Sequence, residues 1–257
     1  MLNSKNILWV TKMVQQKSTI IPEELQQFAR LSQQWWQADG PNKFLHEMNP
    51  IRLQYIYDQL QNYFHLEGLP LDLSTLRILD VGCGGGIATE PLARLKGQVT
   101  GIDATADNID IAKQHAKEHD LKIDYQCTTL ETFAESHKAT FDVVLMLELI
   151  EHVQHPETLI TAAAQCLKPH GLLILSTINR TPQSFLLAKV IAEYVLHVVP
   201  RGTHHWQQFF KPSEIVRFLA SSQFELMDLT GLSFSPLKGA WTCTKNIGVN
   251  YIMTAKK

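Results

Sequence analysis

The chain has 257 residues, 23 Lys and Arg against 25 Asp and Glu, a formal net charge of -2 and a hydrophobic fraction of 45%. That length supports one large domain with appendages around a substantial core, and the balanced charge offers neither a nucleic-acid footprint nor an acidic tail. Cys83, Cys127, Cys166 and Cys243 lack paired spacing, which excludes a disulfide framework or a zinc–cysteine site and fits a reducing compartment, and no apolar run is long enough to span a bilayer.

Residues 1–21 read as a flexible tail; the apolar patch Ile7-Leu8-Trp9-Val10 is too short for an export signal. Pro22 opens a helical pattern carrying Leu25, Phe28, Leu31, Trp35 and Trp36, which Asp39-Gly40-Pro41-Asn42 stops. A second helix is expected to begin near Asn49-Pro50, with Leu53, Ile56, Tyr57, Leu60 and Phe64 as its apolar stripe. Both precede the first core strand, so residues 22–65 can cap a cleft as a helical lid.

From residue 76 the pattern alternates. Strands are expected at Arg77–Val81, Val99–Ile102, Lys122–Cys127, Phe141–Leu147 and Leu172–Thr177, and helices at Ile87–Leu95, Ala106–His119 and after Pro156. A helix at Pro212–Ala220 and strands at Phe224–Leu229 and Val249–Thr254 close the chain. Strands apolar on both faces with helical crossovers mean an α/β fold, a mostly parallel sheet covered on both sides, with an antiparallel arrangement at the end. An insertion at about residues 182–210 interrupts the alternation. Its greasy helix would carry one polar stripe, Lys189, Glu193 and His197, and would be buried, dimerise or rest on a lipid surface.

The chemistry starts at Asp80-Val81-Gly82-Cys83-Gly84-Gly85-Gly86, where a buried strand delivers the chain into a glycine turn, and continues at Asp103 after the next strand. A glycine turn and a following carboxylate form a cleft for a nucleoside-containing cofactor. Gly82 and Gly84 fit the first two positions of a dinucleotide turn, but Ile87 stands at the third, so the usual pyrophosphate geometry is missing. Asp80 can fix the turn or accept from a cationic ligand group, and Asp103 can accept both ribose hydroxyls. Gly85 and Gly86 also read as simple turn formers, and Cys83 as inert packing.

These segments resemble class I S-adenosylmethionine-dependent methyltransferases, as do Phe141-Asp142-Val143-Val144 and Leu167-Lys168-Pro169-His170-Gly171-Leu172. His170 stands where such enzymes often carry a second glycine, a departure expected to be harmless. The resemblance implies a Rossmann-like fold with seven strands, the last antiparallel, spanning 76–257.

Strand four runs into Glu148-Leu149-Ile150-Glu151-His152. In a helical turn, Glu148, Glu151 and His152 share a face and can hold a divalent ion such as Mg2+, which would lower the pKa of a phenolic hydroxyl and orient its oxygen. Alternatively the carboxylates cap a helix and His152 stacks near adenine. His204 or His205 can assist deprotonation, or be ordinary loop residues. Arg52 can grip the cofactor carboxylate bidentately, or be a plain surface arginine.

A narrower resemblance rests on Trp35-Trp36, Leu45 to Leu53, Leu79 to Ile87, Glu148 to Val153, Ser176 to Arg180, Ala192 to Leu196, Pro200 to His204 and Val249 to Met253. These resemble the ubiquinone-biosynthesis O-methyltransferase family from about Pro22 onward. The resemblance implies cofactor contacts at Arg52, Gly82, Asp103 and Leu147, the last usually methionine, and a divalent-metal pattern at Glu148, Glu151 and His152. It further implies a polyprenylated phenol or quinol substrate, methylated at two pathway steps. With it come peripheral contact with the inner membrane from the cytoplasm through about 182–200 and membership of a ubiquinone-biosynthesis complex. C-methylation in the same pathways, or lipid binding without catalysis, are the competing readings.

Overall fold

The computed structural model describes residues 19, 32–185, 208–235 and 239–257. The first helical pattern up to Leu31, most of the insertion, His204 and His205 lie outside the described residues.

Eight strands form one sheet in the order β3-β2-β1-β4-β5-β8-β6-β7. They are β1 Arg77–Val81, β2 Gln98–Asp103, β3 Asp124–Cys127, β4 Phe141–Leu147, β5 Leu167–Ile178, β6 Glu225–Ser235, β7 Ala240–Thr244 and β8 Asn250–Lys256. The first five pair in parallel, while β8 enters antiparallel between β5 and β6. The expected antiparallel final strand is there. The count of seven needs correction, because β7 adds an edge strand paired antiparallel to β6. The segment is short and has only Trp241 buried among mixed neighbours, so no period-2 pattern marks it beforehand.

Successive side chains of a strand point to opposite faces, and the core divides accordingly. Leu79, Val81, Val144, Met146, Leu173 and Leu175 pack on one face against α4 (Leu130–Ser136), α5 (Pro156–Cys166) and α6 (Pro212–Ser221). Ile78, Val143, Leu145, Leu172 and Ile174 pack on the other against α1 (Lys43–Phe64) and Leu92 of α2 (Thr89–Arg94). Helix α3 (Ala106–Glu118) seats Ile109, Ala112 and Ala116 on Tyr125 and Cys83.

Helix α1 differs from expectation in its start. It begins at Lys43 and carries Pro50 in its interior rather than at its first turn. An interior proline removes one backbone donor and costs about 3 kcal/mol. Met48, Ile56 and Leu60 are fully buried on either side of it, each side chain contributing roughly 1.5–3 kcal/mol, so tertiary packing carries the helix through. Met48, Ile56 and Leu60 make α1 a layer of the core as well as a wall of the cleft. His170 adopts φ +62, the left-handed region that glycine enters freely, so its departure is accommodated with some strain rather than without cost.

Candidate functional site

Asp80 is the last residue but one of β1, Asp103 ends β2, and Leu147 ends β4 with Glu148 directly after it. Strand β1 lies between β2 and β4, so the strand order runs outward from it in both directions, the switch point at whose carboxyl ends α/β folds bind ligands. Gly82, Gly84 and Gly86 all have positive φ (+69, +53 and +91), and the amides of Gly82 and Cys83 both donate to the Ile102 carbonyl. The turn is thereby strapped to β2. A Cβ on Gly84 would come within 2.5 Å of the Trp35 ring, and one on Gly82 within 2.8 Å of Leu149. Glycine is needed at both for conformation and for space.

The Trp35-Trp36 pair covers this turn. Trp36 Nε1 donates to the Gly85 carbonyl at 3.0 Å, and Trp35 Nε1 donates to Asn108 Oδ1 at 2.8 Å. Asn108 Nδ2 in turn donates to Asp103 Oδ1 at 3.3 Å. Asp103 also accepts from the Gly84 amide at 3.0 Å and the Thr105 amide at 2.8 Å. A carboxylate offers about four acceptor positions, so ribose hydroxyls would have to replace some of these donors. Burial raises the Asp103 pKa against the lowering effect of those bonds.

Arg52 is 4% exposed, which removes the reading of a plain surface arginine. Its Nη2 donates to Asn49 Oδ1 at 3.1 Å, and Asn49 Nδ2 donates to the Ile87 carbonyl at 3.0 Å. Its Nε is buried without a hydrogen-bond partner, and among the described residues Arg52 makes no salt bridge. Burial lowers its pKa, while Glu148, Asp80 and Glu151 act electrostatically in the opposite direction. A buried cation with an orphaned donor is costly unless a ligand completes it, and an amino-acid carboxylate has the matching fork. Asp80 accepts from Thr89 Oγ1 at 2.6 Å, yet burial pushes its pKa up to about 6. A cationic ligand group beside it would favour its ionised form.

Glu148 adopts φ +51, held by its amide donating to the Ser176 carbonyl at 3.0 Å. Strained backbone of this kind clusters at functional sites. Ser176 Oγ donates to Glu148 Oε1 at 2.7 Å, Asn250 Nδ2 to Oε2 at 3.4 Å, and Thr177 Oγ1 to Glu151 Oε2 at 2.8 Å. Burial first and Glu148 second raise the Glu151 pKa, and His152 opposes them. The helical turn expected here is a 3-10 turn over Ile150–His152, which leaves Glu148 outside it. Among the described residues, the three ligand-type side chains whose ligand atoms lie within 4.8 Å of one another are Glu90, His115 and His119. Glu148, Glu151 and His152 interact electrostatically without being gathered that closely.

The donor types still suit a hard divalent cation: a buried carboxylate, Glu151, beside the half-buried Glu148, whose repulsion His152 opposes. Leu147 is half-buried beside Ser176 in the β4–β5 register and offers an apolar wall. Burial drives the Cys83 thiol well up, in keeping with inert packing, and all four cysteines are free.

Sequence reasoning missed Asn49, Asn108, Thr89 and Thr177 as supports of the charged groups. Only their placement one helical turn or one strand away from a carboxylate or guanidinium reveals the role.

A family model described as a methyltransferase domain matches residues 44–229. The chain is 43% identical over 246 residues to the ubiquinone biosynthesis O-methyltransferase of Methylocella silvestris, covering 93% of this chain and 96% of that one. It is also 43% identical to the protein of the same name from Idiomarina loihiensis, covering 94% and 96%. Among solved structures, a SAM-dependent methyltransferase from Thermotoga maritima aligns with TM-score 0.59 at 18% identity over 90% of this chain and 98% of that one. Magnesium protoporphyrin IX methyltransferase from Synechocystis PCC 6803 aligns with TM-score 0.55 at 20% identity, covering 80% and 81%. Those two likenesses establish the Rossmann-like class I methyltransferase fold.

Proposed function

We propose, since the chain belongs to the ubiquinone biosynthesis O-methyltransferase family, that this S-adenosylmethionine-dependent methyltransferase methylates phenolic hydroxyls of polyprenylated ubiquinone precursors. The substrates are 2-polyprenyl-6-hydroxyphenol and 3-demethylubiquinol. The observation that carries the reading is Arg52, a buried guanidinium with an orphaned Nε set beside Asp80, Glu148 and Glu151.

S-adenosylmethionine supplies a methyl group on a positively charged sulfur. Arg52 would hold the cofactor carboxylate, and Asp80 would face its cationic end. Asp103 and the glycine turn would take the ribose, and Leu147 would pack against the adenine. Holding the cofactor so would let alignment of the attacking oxygen supply much of the rate. The phenolic oxygen forms a bond to that carbon as the carbon–sulfur bond breaks, leaving S-adenosylhomocysteine.

The phenol must lose its proton. Glu151, its basicity increased by burial and by Glu148, is the acceptor at its Oε1, while Thr177 engages Oε2. Glu148 and His152 complete the acidic wall, and all three would hold a divalent cation, which supplies Lewis acidity to the phenolic oxygen. His204, which lies outside the described residues, is assigned a helping role in deprotonation.

Among the described residues no helix is long and apolar enough to cross a membrane. The apolar stretch at 182–200 supports contact with the cytoplasmic face of the inner membrane, where a prenyl tail resides, and association with a ubiquinone-biosynthesis complex. Liposome co-sedimentation of the full chain with and without residues 185–199 tests the contact; equal sedimentation overturns it.

The decisive experiment incubates the purified chain with S-adenosylmethionine and a short-chain demethylubiquinol and locates the added methyl by mass spectrometry and NMR. Methylation on oxygen is expected. Transfer to a ring carbon, or none, overturns the reading.

A further inference from the structure

Glu90, His115 and His119 lie outside the cofactor crevice and take no part in the chemistry above. Glu90 is in α2; His115 is in the last turn of α3 and His119 caps that helix. The two histidines are four apart, the spacing that stacks side chains on one face of a helix. Their rings are 4.2 Å apart between centroids and tilted by 30°. His119 Nδ1 bonds the His115 carbonyl at 2.9 Å, which leaves Nε2 as its available nitrogen. His115 Nδ1 is 2.6 Å from Glu90 Oε1, and Glu90 is 1% exposed.

From this geometry we propose a transition-metal site formed by Glu90, His115 and His119. Ligand atoms of all three lie within 4.8 Å of one another, close enough to share one ion. Two imidazoles and one carboxylate favour Zn2+, Ni2+ or Cu2+ over Mg2+, whose preferred shell is all oxygen. His119 is exposed, so the site has an entry path, whereas Glu90 is buried and its charge has Arg94 Nη2 at 3.4 Å as its other partner. Tetrahedral ligation separates donor atoms by roughly 3.3 Å, so the Glu90–His115 pair opens slightly as the ion replaces the shared proton.

The ion would cross-link α2 to α3, the helices following β1 and β2. The His115 ring is stacked on Trp36 at 3.5 Å with 4° between planes, and Trp36 Nε1 donates to Gly85. Occupancy therefore reaches the glycine turn through one aromatic contact. The site draws nothing from the Glu148 cluster or from the methyl-transfer reading.

The test is titration of the chelator-treated full chain with Ni2+ alone, following tryptophan emission and thermal unfolding. Saturable quenching and a raised Tm are expected, because Ni2+ quenches an indole stacked on its ligand and binding to the folded state stabilises it. His119→Ala, at an exposed position, should weaken binding at least about tenfold and remove the Tm rise, and His119→Cys should restore most of both. Trp36→Phe should bind Ni2+ with far less quenching. No saturable response in the unaltered chain, or the same response in His119→Ala, overturns the site.

Discussion

Asn49 holds Arg52 in place: its side-chain oxygen accepts from Arg52 Nη2 at 3.1 Å while its amide nitrogen donates to the Ile87 carbonyl at 3.0 Å. The guanidinium is therefore positioned before any ligand arrives, tied to the segment just after the glycine turn. Arg52→Lys keeps the charge and loses the planar fork. S-adenosylhomocysteine affinity, measured by calorimetry, should fall about tenfold to a hundredfold, the range for a charged hydrogen bond worth roughly 1.5–3 kcal/mol. Unchanged affinity would remove Arg52 from the cofactor site.

Gly84 tests the turn. Its φ of +53 costs an L-residue about 1–2 kcal/mol, and a Cβ there would also strike Trp35 at 2.5 Å. Gly84→Ala should lower the Tm and weaken cofactor binding. In a Trp35→Ala background the steric part disappears and only the conformational part remains, so the two losses should be less than additive. Strict additivity would show that Trp35 does not cover the turn.

The carboxyl pair separates chemistry from binding. Glu151→Gln removes the proton acceptor while preserving the Thr177 hydrogen bond, so kcat should drop at least about a hundredfold with cofactor affinity retained. A chelator should depress the rate of the unaltered enzyme, and added Mg2+ should restore it. Full activity of Glu151→Gln would move the base elsewhere.

Asp80 gives a pH signature. Burial raises its pKa from 3.8 to about 6, so the empty fold holds a proton that the unfolded chain has released. Its contribution to stability is therefore largest at low pH and declines as pH rises from about 4 through 6. Cofactor binding works in the opposite sense, because a cationic group favours the ionised carboxylate. Affinity should weaken as pH falls through about 6, with proton release visible as a buffer-dependent binding heat. In Asp80→Asn the part of both pH effects near pH 6 that belongs to Asp80 should vanish, leaving only the same-signed parts carried by the buried Glu151 and Asp103.

Pro50 bears on stability alone. It is exposed inside α1 and withholds a donor from the His46 carbonyl one turn back. Pro50→Ala should raise the Tm, with a gain of up to about 3 kcal/mol. A lower Tm would mean that α1 depends on the proline for its path.

Strands β1 and β4 were legible to the residue, Arg77–Val81 and Phe141–Leu147, because each is a largely apolar run stopped by Gly82 or Glu148. The placement of Asp80, Gly82, Gly84 and Asp103 together at the carboxyl ends of β1 and β2 was legible too, since glycines and a carboxylate following apolar runs mark where strands end. Helix α4 and strand β7 were not, because short elements with few buried positions leave no period to read. Helix α1 starts at Lys43, before the point that the local rule about proline predicts, because the burial of Met48 outweighs that rule.

Composition, periodicity and spacing determined the α/β class, the order of elements and the carboxylates at the strand ends, all of which follow from chemistry local in the chain. Tertiary structure decided which charges are buried and what touches them: Arg52 sealed rather than exposed, Glu151 bonded by Thr177 across 26 residues of sequence, Glu90 brought beside His115 across 25. Burial and pairing belong to the elements that pack over a side chain, and those come from distant parts of the sequence. Tyr55 meets Asp228 at 2.7 Å across a separation of 173 residues, a contact that no local pattern encodes.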